Sequence, residues 1–502
     1  MLRYYHPGPR QAPRTIVSDV CVYGGTSAGI AAAVTAARLG RSVTVAAFGR
    51  RIGGLSASGL GATDSGETGA IGGLAREFYR RVGAHYGLPE TFRFEPHVAE
   101  AVFEAWVAEN GIELQREQRL DGVRMSGDRI LELRMESGLS LRAAMFVDAS
   151  YEGDLLARAG ASWFAGREGN ATYRETLNGV QFRSGHQFRV PVDPYVLPGD
   201  RSSGLLQGVS SDPPGAAGEG DHRIQAFNFR VCLTRAEDRL PFPKPGGYDP
   251  DRYALLLRYI EAGIWDVLGN NQPMPGDKTD FNNNGAVSSD NIGRNHDWPD
   301  ASYRERERIF QDHVTYQQGL LWFLANDERV PAEIRAEVGA FGLPRGEFTD
   351  TGGWPHELYV REARRLVSDY VMTEHDCRGH TSIPDPVGLA SYTMDSHNCK
   401  RVVVDGQVRN EGDVQVGTPA PYPVAFRSIV PREGECENLL VPVCLSSSHI
   451  AYGSIRMEPV FMVLAQAAAT AAALAIDANV PVQRVDYGAL RRRLVRDHAV
   501  LE

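Results

Sequence analysis

Two histidines in this chain occupy settings where an imidazole could move a proton. His449 lies in SSSHIAYGSIRMEP, just before a long apolar segment, and His397 lies in MDSHNC, after a short strand-like run. A neutral imidazole near pH 7 suits a proton acceptor. The competing account for each is a structural histidine, hydrogen-bonded inside a packed region. A second chemistry is written in DVCVYGGTSAGIAAAVTAARLGRSVTVAAFGRR, Asp19 to Arg51: a strand, a glycine turn, an alanine-rich helix and a second strand. In a β-α-β nucleotide site the first glycine permits the tight turn, the second lets backbone approach a diphosphate, and the third packs helix on strand. Gly24 and Gly29 fill the first and third places, with Gly25 between them. Thr26 stands at the second and, with Ser27, offers a hydroxyl to a phosphate oxygen; Ala28 continues the helix start, whose free N–H groups and positive dipole end suit the same anion. The acid expected to grip a ribose is Ala47. Arg50 and Arg51 could contact phosphate instead, accommodate a ribose 2′-phosphate, or simply be solvated.

Further polar candidates cluster later in the chain. Asn282, Asn283 and Asn284, with Lys278 and Asp280, could hydrogen-bond a polyhydroxylated or zwitterionic molecule, or hold their own turns. Trp354 and His356 in GGWPHELY read as cleft residues, with an ordinary core tryptophan as the alternative. Arg361, Arg364 and Arg365 fall on one face if LYVREARRLVSDYVM, Leu358 to Met372, is helical. That face would bind a substrate carboxylate or a phosphate, or be a solvated charged surface.

The elements that must position these groups fit a large mixed α/β chain. With 502 residues, 42% of them hydrophobic, two or more domains are expected. A net charge of −10 argues against a nucleic-acid partner. Six cysteines without a C-x-x-C give no disulfide framework and no familiar zinc or iron–sulfur spacing, so no metal is expected. The N-terminus lacks an apolar signal region, and the run Val460 to Ile476, largely alanine with Gln466 and Thr470, reads as a buried helix rather than a membrane span. A cytoplasmic protein without membrane partners is expected. After the first unit come a glycine-rich loop (Arg51–Gly66), helices near Gly73–Val82 and Val98–Asn110, and a meander of strands from Ile112 to Ala149. A long polar loop is expected over Gly276–Gly293, and strands at RVVV and ENLLVPVC before the alanine-rich helix. The reading is one nucleotide domain built from residues 1–165 and 386–502, with a second domain, 166–385, inserted.

Longer blocks carry a family resemblance. GGTSAGIAAA with IGGLSASGLGATD, FVDASYEGDLLARAGAS with GREGNATYRETLNGVQ, KTDFNNNGA, GGWPHELYVREARRLVSDYVMTEHDC, YTMDSHNCKR, FRSIVP and ENLLVPVCLSSSHIAYGSIRMEPVFMVLAQAAATAAALA, in this order, resemble bacterial FAD-dependent oxidoreductases within the glutathione-reductase-like flavoproteins. The resemblance implies an α/β fold: a Rossmann-like FAD-binding domain of glutathione-reductase type with an inserted α+β substrate or cap domain. It implies non-covalent FAD, met by Gly24, Gly25, Thr26, Ser27, Ala28 and Gly29 at the pyrophosphate, with Arg50 and Arg51 nearby. Gly53, Gly54, Ser58, Gly59, Leu60 and Gly61 would run along the ribitol and flavin edge. Asp148, Ala149, Ser150, Gly153 and Asp154 would form a second strand–turn contact, and Arg456, Met457, Pro459 and Val460 would open the last helix toward the flavin. Hydride transfer from a C–H beside O or N of a polar small molecule to flavin N5 follows, with His449 as the base and His397 as the second candidate, Asn283, Trp354, His356 and Arg361 at the substrate, and oxygen or another carrier as electron acceptor. The alternatives are a flavin hydroxylase and a FAD-fold protein without redox activity. Departures are Ala47 for the acid, and Ala465 and Ala469 where glycine is common in the family.

Overall fold

A computed structural model describes residues 2–9 and 12–502. Its centre is a parallel β-α-β unit: strand β1 (Arg14–Tyr23), helix α1 (Ser27–Arg38) and strand β2 (Val43–Ala46). Val20 to Tyr23 pair in register with Val43 to Ala46. The end of β1 and the whole of β2 are buried apolar runs, as a parallel strand covered on both faces requires. Strand β3 (Glu113–Gln115) extends the sheet beyond β2, and β6 (Leu139–Asp148) lies parallel to β1 on the other side. Between them in sequence, β4 (Leu120–Ser126) and β5 (Arg129–Met135) form a hairpin that pairs antiparallel with β6. The order is β3-β2-β1-β6-β5-β4. A short strand from the far end of the chain, Leu439–Leu440, also pairs with β6, at Phe146 and Val147.

The same chain end supplies the helix Glu458–Ala478, which packs along α1. Both helices are alanine-rich, so their axes can approach closely. The C-terminal helix is long and apolar enough to cross a membrane, but 89% of its most apolar window is buried in the fold. Helices α2 (Gly73–His85) and α3 (Pro96–Glu109) lie where periodicity placed them.

Two expectations are corrected. Leu358–Met372 is not a helix: it runs extended, with Arg365–Leu366 pairing against Trp163–Phe164. The reason is tertiary. Arg361 reaches the Ala226 carbonyl and Asn228, Arg364 reaches the Glu152 carbonyl and Asp154, and Arg365 reaches the carbonyls of Ser447 and Gly166 and the Glu168 carboxylate. Those partners lie in different chain segments, and together they override a helical preference of a few tenths of a kcal/mol per residue. The three arginines are buried, not a solvated face. The stretch Gly276–Gly293 also begins as structure, with Lys278–Phe281 the middle strand of a three-stranded antiparallel sheet between Val231–Thr234 and Asn271–Met274.

The long helix Tyr303–Asn326, started by a Ser302/Glu305 capping box, docks onto the nucleotide unit through one charged junction. Arg306 holds both oxygens of Asp154 at 2.7 and 2.9 Å, and Arg364 adds a third bond at 2.8 Å. Burial pushes the Asp154 carboxyl up, but the two guanidinium groups outweigh it and set it at about 2. The stabilisation is therefore present above the ordinary carboxyl range and is lost as pH falls through that value. Breaking a buried pair leaves an uncompensated charge, so Asp154→Asn should lower the unfolding free energy by about 3–5 kcal/mol. An unchanged denaturant midpoint for Asp154→Asn at pH 7 would show that the junction does not hold the helix.

Candidate functional site

A cavity of about 520 Å³ opens beside the first glycine turn. Its floor is Gly24, Gly25 and Thr26; one wall is Phe48 to Arg51, after β2, and another is Ser150 to Glu152, after β6. The extended segment around His356 and Glu357 closes the far side. The turn must be glycine on steric grounds. A Cβ on Gly24, at φ +114°, would lie 2.6 Å from the Ala149 carbonyl, and one on Gly25 would lie 2.7 Å from the Ala47 Cβ. Ala47 is fully buried, its N–H and C=O bonded to Gln115 and Gln118.

The hydroxyls at the start of α1 are committed elsewhere. Thr26 caps the helix by accepting from the Gly29 N–H at 3.1 Å and donates to the Ala149 carbonyl at 2.7 Å. Ser27 bonds the Glu458 carboxyl, whose other oxygen takes the Tyr151 phenol at 2.6 Å. Neither hydroxyl is therefore free for a phosphate, and the main-chain amides of the helix start are left to meet one. The last helix begins at Glu458, with Pro459 second and Met457 as its cap residue, so its positive end meets the buried Glu458 carboxyl. Arg50 pairs with Glu117 at 3.1 Å, and Arg51 with Glu100 and Asp350 at 2.6 and 2.7 Å.

Two ring nitrogens in the cavity wall have no partner: Nδ1 of His356 and Nε1 of Trp298. Nε2 of His356 is fixed by Ser58 at 2.7 Å. Burial, with Arg51 nearby, lowers His356 to about 3, so the ring is neutral. Carboxyl groups around the cavity are driven the other way. Burial, with Glu458, Glu152 and Glu100 around it, raises Glu357 to about 8, and burial raises Glu152 and Glu458 to about 7. Main-chain amides, aromatic surfaces and the Trp298 ring N–H, beside acids whose affinity for a proton is raised by burial, suit a dinucleotide diphosphate.

The two sequence-selected histidines lie outside this wall. His449, 2% exposed, has Nδ1 2.7 Å from Glu362 and Nε2 2.9 Å from Ser396. His397, 7% exposed, has Nδ1 2.7 Å from Asp290, while Nε2 stands 3.3 Å from Asp395. Around His397 the charges alternate: Arg361 is 3.0 Å from Asp290, and Arg456 is 2.8 Å from Asp395 and 2.9 Å from the Tyr359 hydroxyl. Burial raises Asp290, but Arg361 and His397 hold it at about 2.

Other expected contacts have protein partners. Asp148 accepts from the Ser150 and Leu156 N–H groups and fixes the turn carrying Ala149, Ser150 and Gly153. Gly53 hydrogen-bonds the Gly25 carbonyl at 2.7 Å, tying Gly54 to the first turn. Ser58 to Gly61 turns toward residue 230, where a Cβ on Gly59 would meet the Arg230 carbonyl at 1.8 Å. Leu60, Met457 and Val460 are core residues, Asn283 is buried with its carbonyl bonded by Asn270, and Trp354 packs edge-on to Phe229. Sequence reasoning placed Tyr151 and Glu152 in the Ser150–Asp154 turn but did not single out Phe48, Trp298, Glu357 or the segment at residues 2–6. Tyr151, Glu152 and Glu357 stood inside quoted motifs beside the chosen residues; Trp298 and the N-terminal residues carried no motif.

The chain belongs to the FAD dependent oxidoreductase family, whose model matches residues 19–494. The family is one of oxidoreductases that depend on FAD. No curated protein matches it. Among solved structures it is similar to a mutant flavin monooxygenase from Stenotrophomonas maltophilia (18% identity, 26% of this chain and 37% of that one, TM-score 0.20). It is also similar to L-proline dehydrogenase from P. horikoshii (16%, 32% and 59%, 0.26) and to the OxyS anhydrotetracycline hydroxylase from Streptomyces rimosus (13%, 40% and 44%, 0.25). The matches span under two thirds of each of those chains.

Because Glu357 holds its proton well above the ordinary carboxyl range, the folded state binds more protons than the unfolded chain between about pH 4.5 and 8, and its stability falls as pH rises through that window. Glu357→Gln should remove part of that fall, so that the variant's thermal midpoint, without FAD, gains on wild type from pH 5 to pH 9. A constant difference would show that Glu357 ionises as in solution.

Proposed function

We propose that the enzyme is a dehydrogenase or oxidase that moves a hydride from a C–H next to O or N of a polar small molecule to flavin N5. In this reading residues 1–165 and 386–502 form a FAD-binding domain of glutathione-reductase type, and 166–385 form the substrate-facing cap. Bound FAD supplies the hydride acceptor. The observation that carries the reading is the arrangement at His397: Nδ1 is anchored on the ionised Asp290 carboxylate at 2.7 Å, and Nε2 makes a longer pairing with Asp395, at 3.3 Å. Asp290 accepts the Nδ1–H hydrogen bond and fixes the ring, and Nε2 accepts the O–H or N–H proton of a substrate that takes its place against Asp395. Asp290 and Asp395, on opposite sides of the ring, stabilise the imidazolium that results.

His449 acts as a positioning group. Its Glu362 and Ser396 partners hold the strand that ends in His397, and Ser396 Oγ also lies 3.4 Å from the His397 carbonyl. Substrate polarity is supported by unspent donors: Nε of Arg361 and Nε of Arg456 are buried without partners in the same cluster. A hydroxyl-rich or carboxylate-bearing molecule would satisfy both.

A substrate is first sought by anaerobic bleaching of the wild-type flavin, and His397→Asn is then compared on it. The variant should keep its yellow absorbance and lose about 10²–10⁴-fold in the bleaching rate. An unchanged rate would remove His397 from proton transfer.

A further inference from the structure

We propose that residues 2–6 form the outer wall of the adenosine end of the FAD site, with Tyr4 and Phe48 as a stacking surface that takes over from the missing ribose carboxylate. The proposal rests on the FAD assignment and concerns a segment that precedes the family match, which begins at residue 19. Leu2, Arg3, Tyr4 and His6 line the same cavity as the Gly24–Thr26 turn.

The segment is held on two sides. From the inserted region, Gln311 donates to the Leu2 carbonyl at 2.9 Å, and Glu307 accepts the Tyr5 N–H at 2.7 Å. From the sheet, Glu136 accepts the Tyr5 hydroxyl at 3.1 Å. The Tyr5 ring lies against Tyr303, 5.5 Å between centroids. These anchors offset the entropy of ordering a terminal segment and aim Tyr4 inward. Its ring stacks on Phe48 at 4.7 Å and 28°, with Trp298 edge-on at 4.9 Å. The Tyr4 hydroxyl points at Glu152, 3.4 Å away. Burial raises the Tyr4 phenol well above its ordinary value, so it stays a neutral donor.

Position decides which part of the cofactor this surface serves. In a β-α-β nucleotide unit the ribose lies at the end of the second strand and the base just beyond it. Here that end is Ala47, packed on Gly25, and the next residue is Phe48. The Arg119 guanidinium lies 5.4 Å from the Phe48 ring and adds a cation to the aromatic group. A purine has a flat π-face that stacks on aromatic side chains, whereas the nearby carboxylates Glu117 and Asp350 are paired with Arg50 and Arg51. Affinity that a charge-assisted bond would give the ribose is supplied to the base instead.

The test uses the full chain, freed of FAD, and measures FAD and FMN dissociation constants by quenching of flavin fluorescence. FMN lacks the adenosine. Tyr4→Ala and Phe48→Ala should each raise the FAD Kd about 5- to 100-fold and leave the FMN Kd unchanged, while Tyr4→Phe stays near wild type. Thermal midpoints without ligand check that each variant is folded. An unchanged FAD Kd in Tyr4→Ala, an equal loss for FAD and FMN, or tighter FAD binding on removing the ring would overturn the wall alone; tighter binding would mean that Tyr4 fills the place of the base. A wild-type chain that binds no FAD would overturn the cofactor assignment with it.

Discussion

One buried carboxyl organises the nucleotide end of this molecule. Glu458, the first residue of the last helix, bonds Ser27 at the start of α1 and the Tyr151 phenol after β6, and that phenol accepts the Leu55 N–H. Two helix N-termini and two glycine turns therefore converge on a single group. Positive helix ends repel one another when brought together in a dry interior, and a carboxyl between them relieves this whether ionised or neutral, by charge or by hydrogen bonds. The neighbouring cavity inherits its shape from that convergence, since moving Glu458 would release Tyr151 and the loop from Gly53 to Ser58 together.

The parallel unit, the alanine-rich helix and the meander of strands were legible in the chain because each follows from local periodicity and glycine placement. The glycine turn was legible too, although the roles assigned to Thr26 and Ser27 were not. Their hydroxyls serve a cap and a long-range carboxyl, and nothing within a few residues announces that. The segment Leu358–Met372 shows the limit most clearly. Its composition favours a helix, yet its arginines are spent on carbonyls from residues 152, 166, 226 and 447. Spacing along the chain carries no record of such partners. Likewise His356, singled out in a motif of two glycines and a proline that precede it, is in the cavity wall, while His449 and His397 lie in a charged cluster whose other members are scattered along the chain.

Charge is dense around His397: Asp290, Arg361 and Arg456 are buried and Asp395 is partly buried. Such clusters are weak evidence for stability, because desolvation consumes most of the attraction. Their value lies in holding geometry. Each group has a partner of opposite sign within hydrogen-bond reach, so the ring of His397 is confined to one orientation.

The extended run from Arg361 to Arg365 bears on how the chain assembles. Burial of each guanidinium is compensated only when the distant segments that receive it have arrived, so an intermediate that buries this run too early carries an unpaired cation in a dry setting. Partial structures are penalised, and the regions on either side of this run should form together rather than in turn. Lysine could not substitute, since a single ammonium cannot reach several carbonyls at fixed angles. The run thus works as a checkpoint on assembly, admitting the finished topology and rejecting drafts of it.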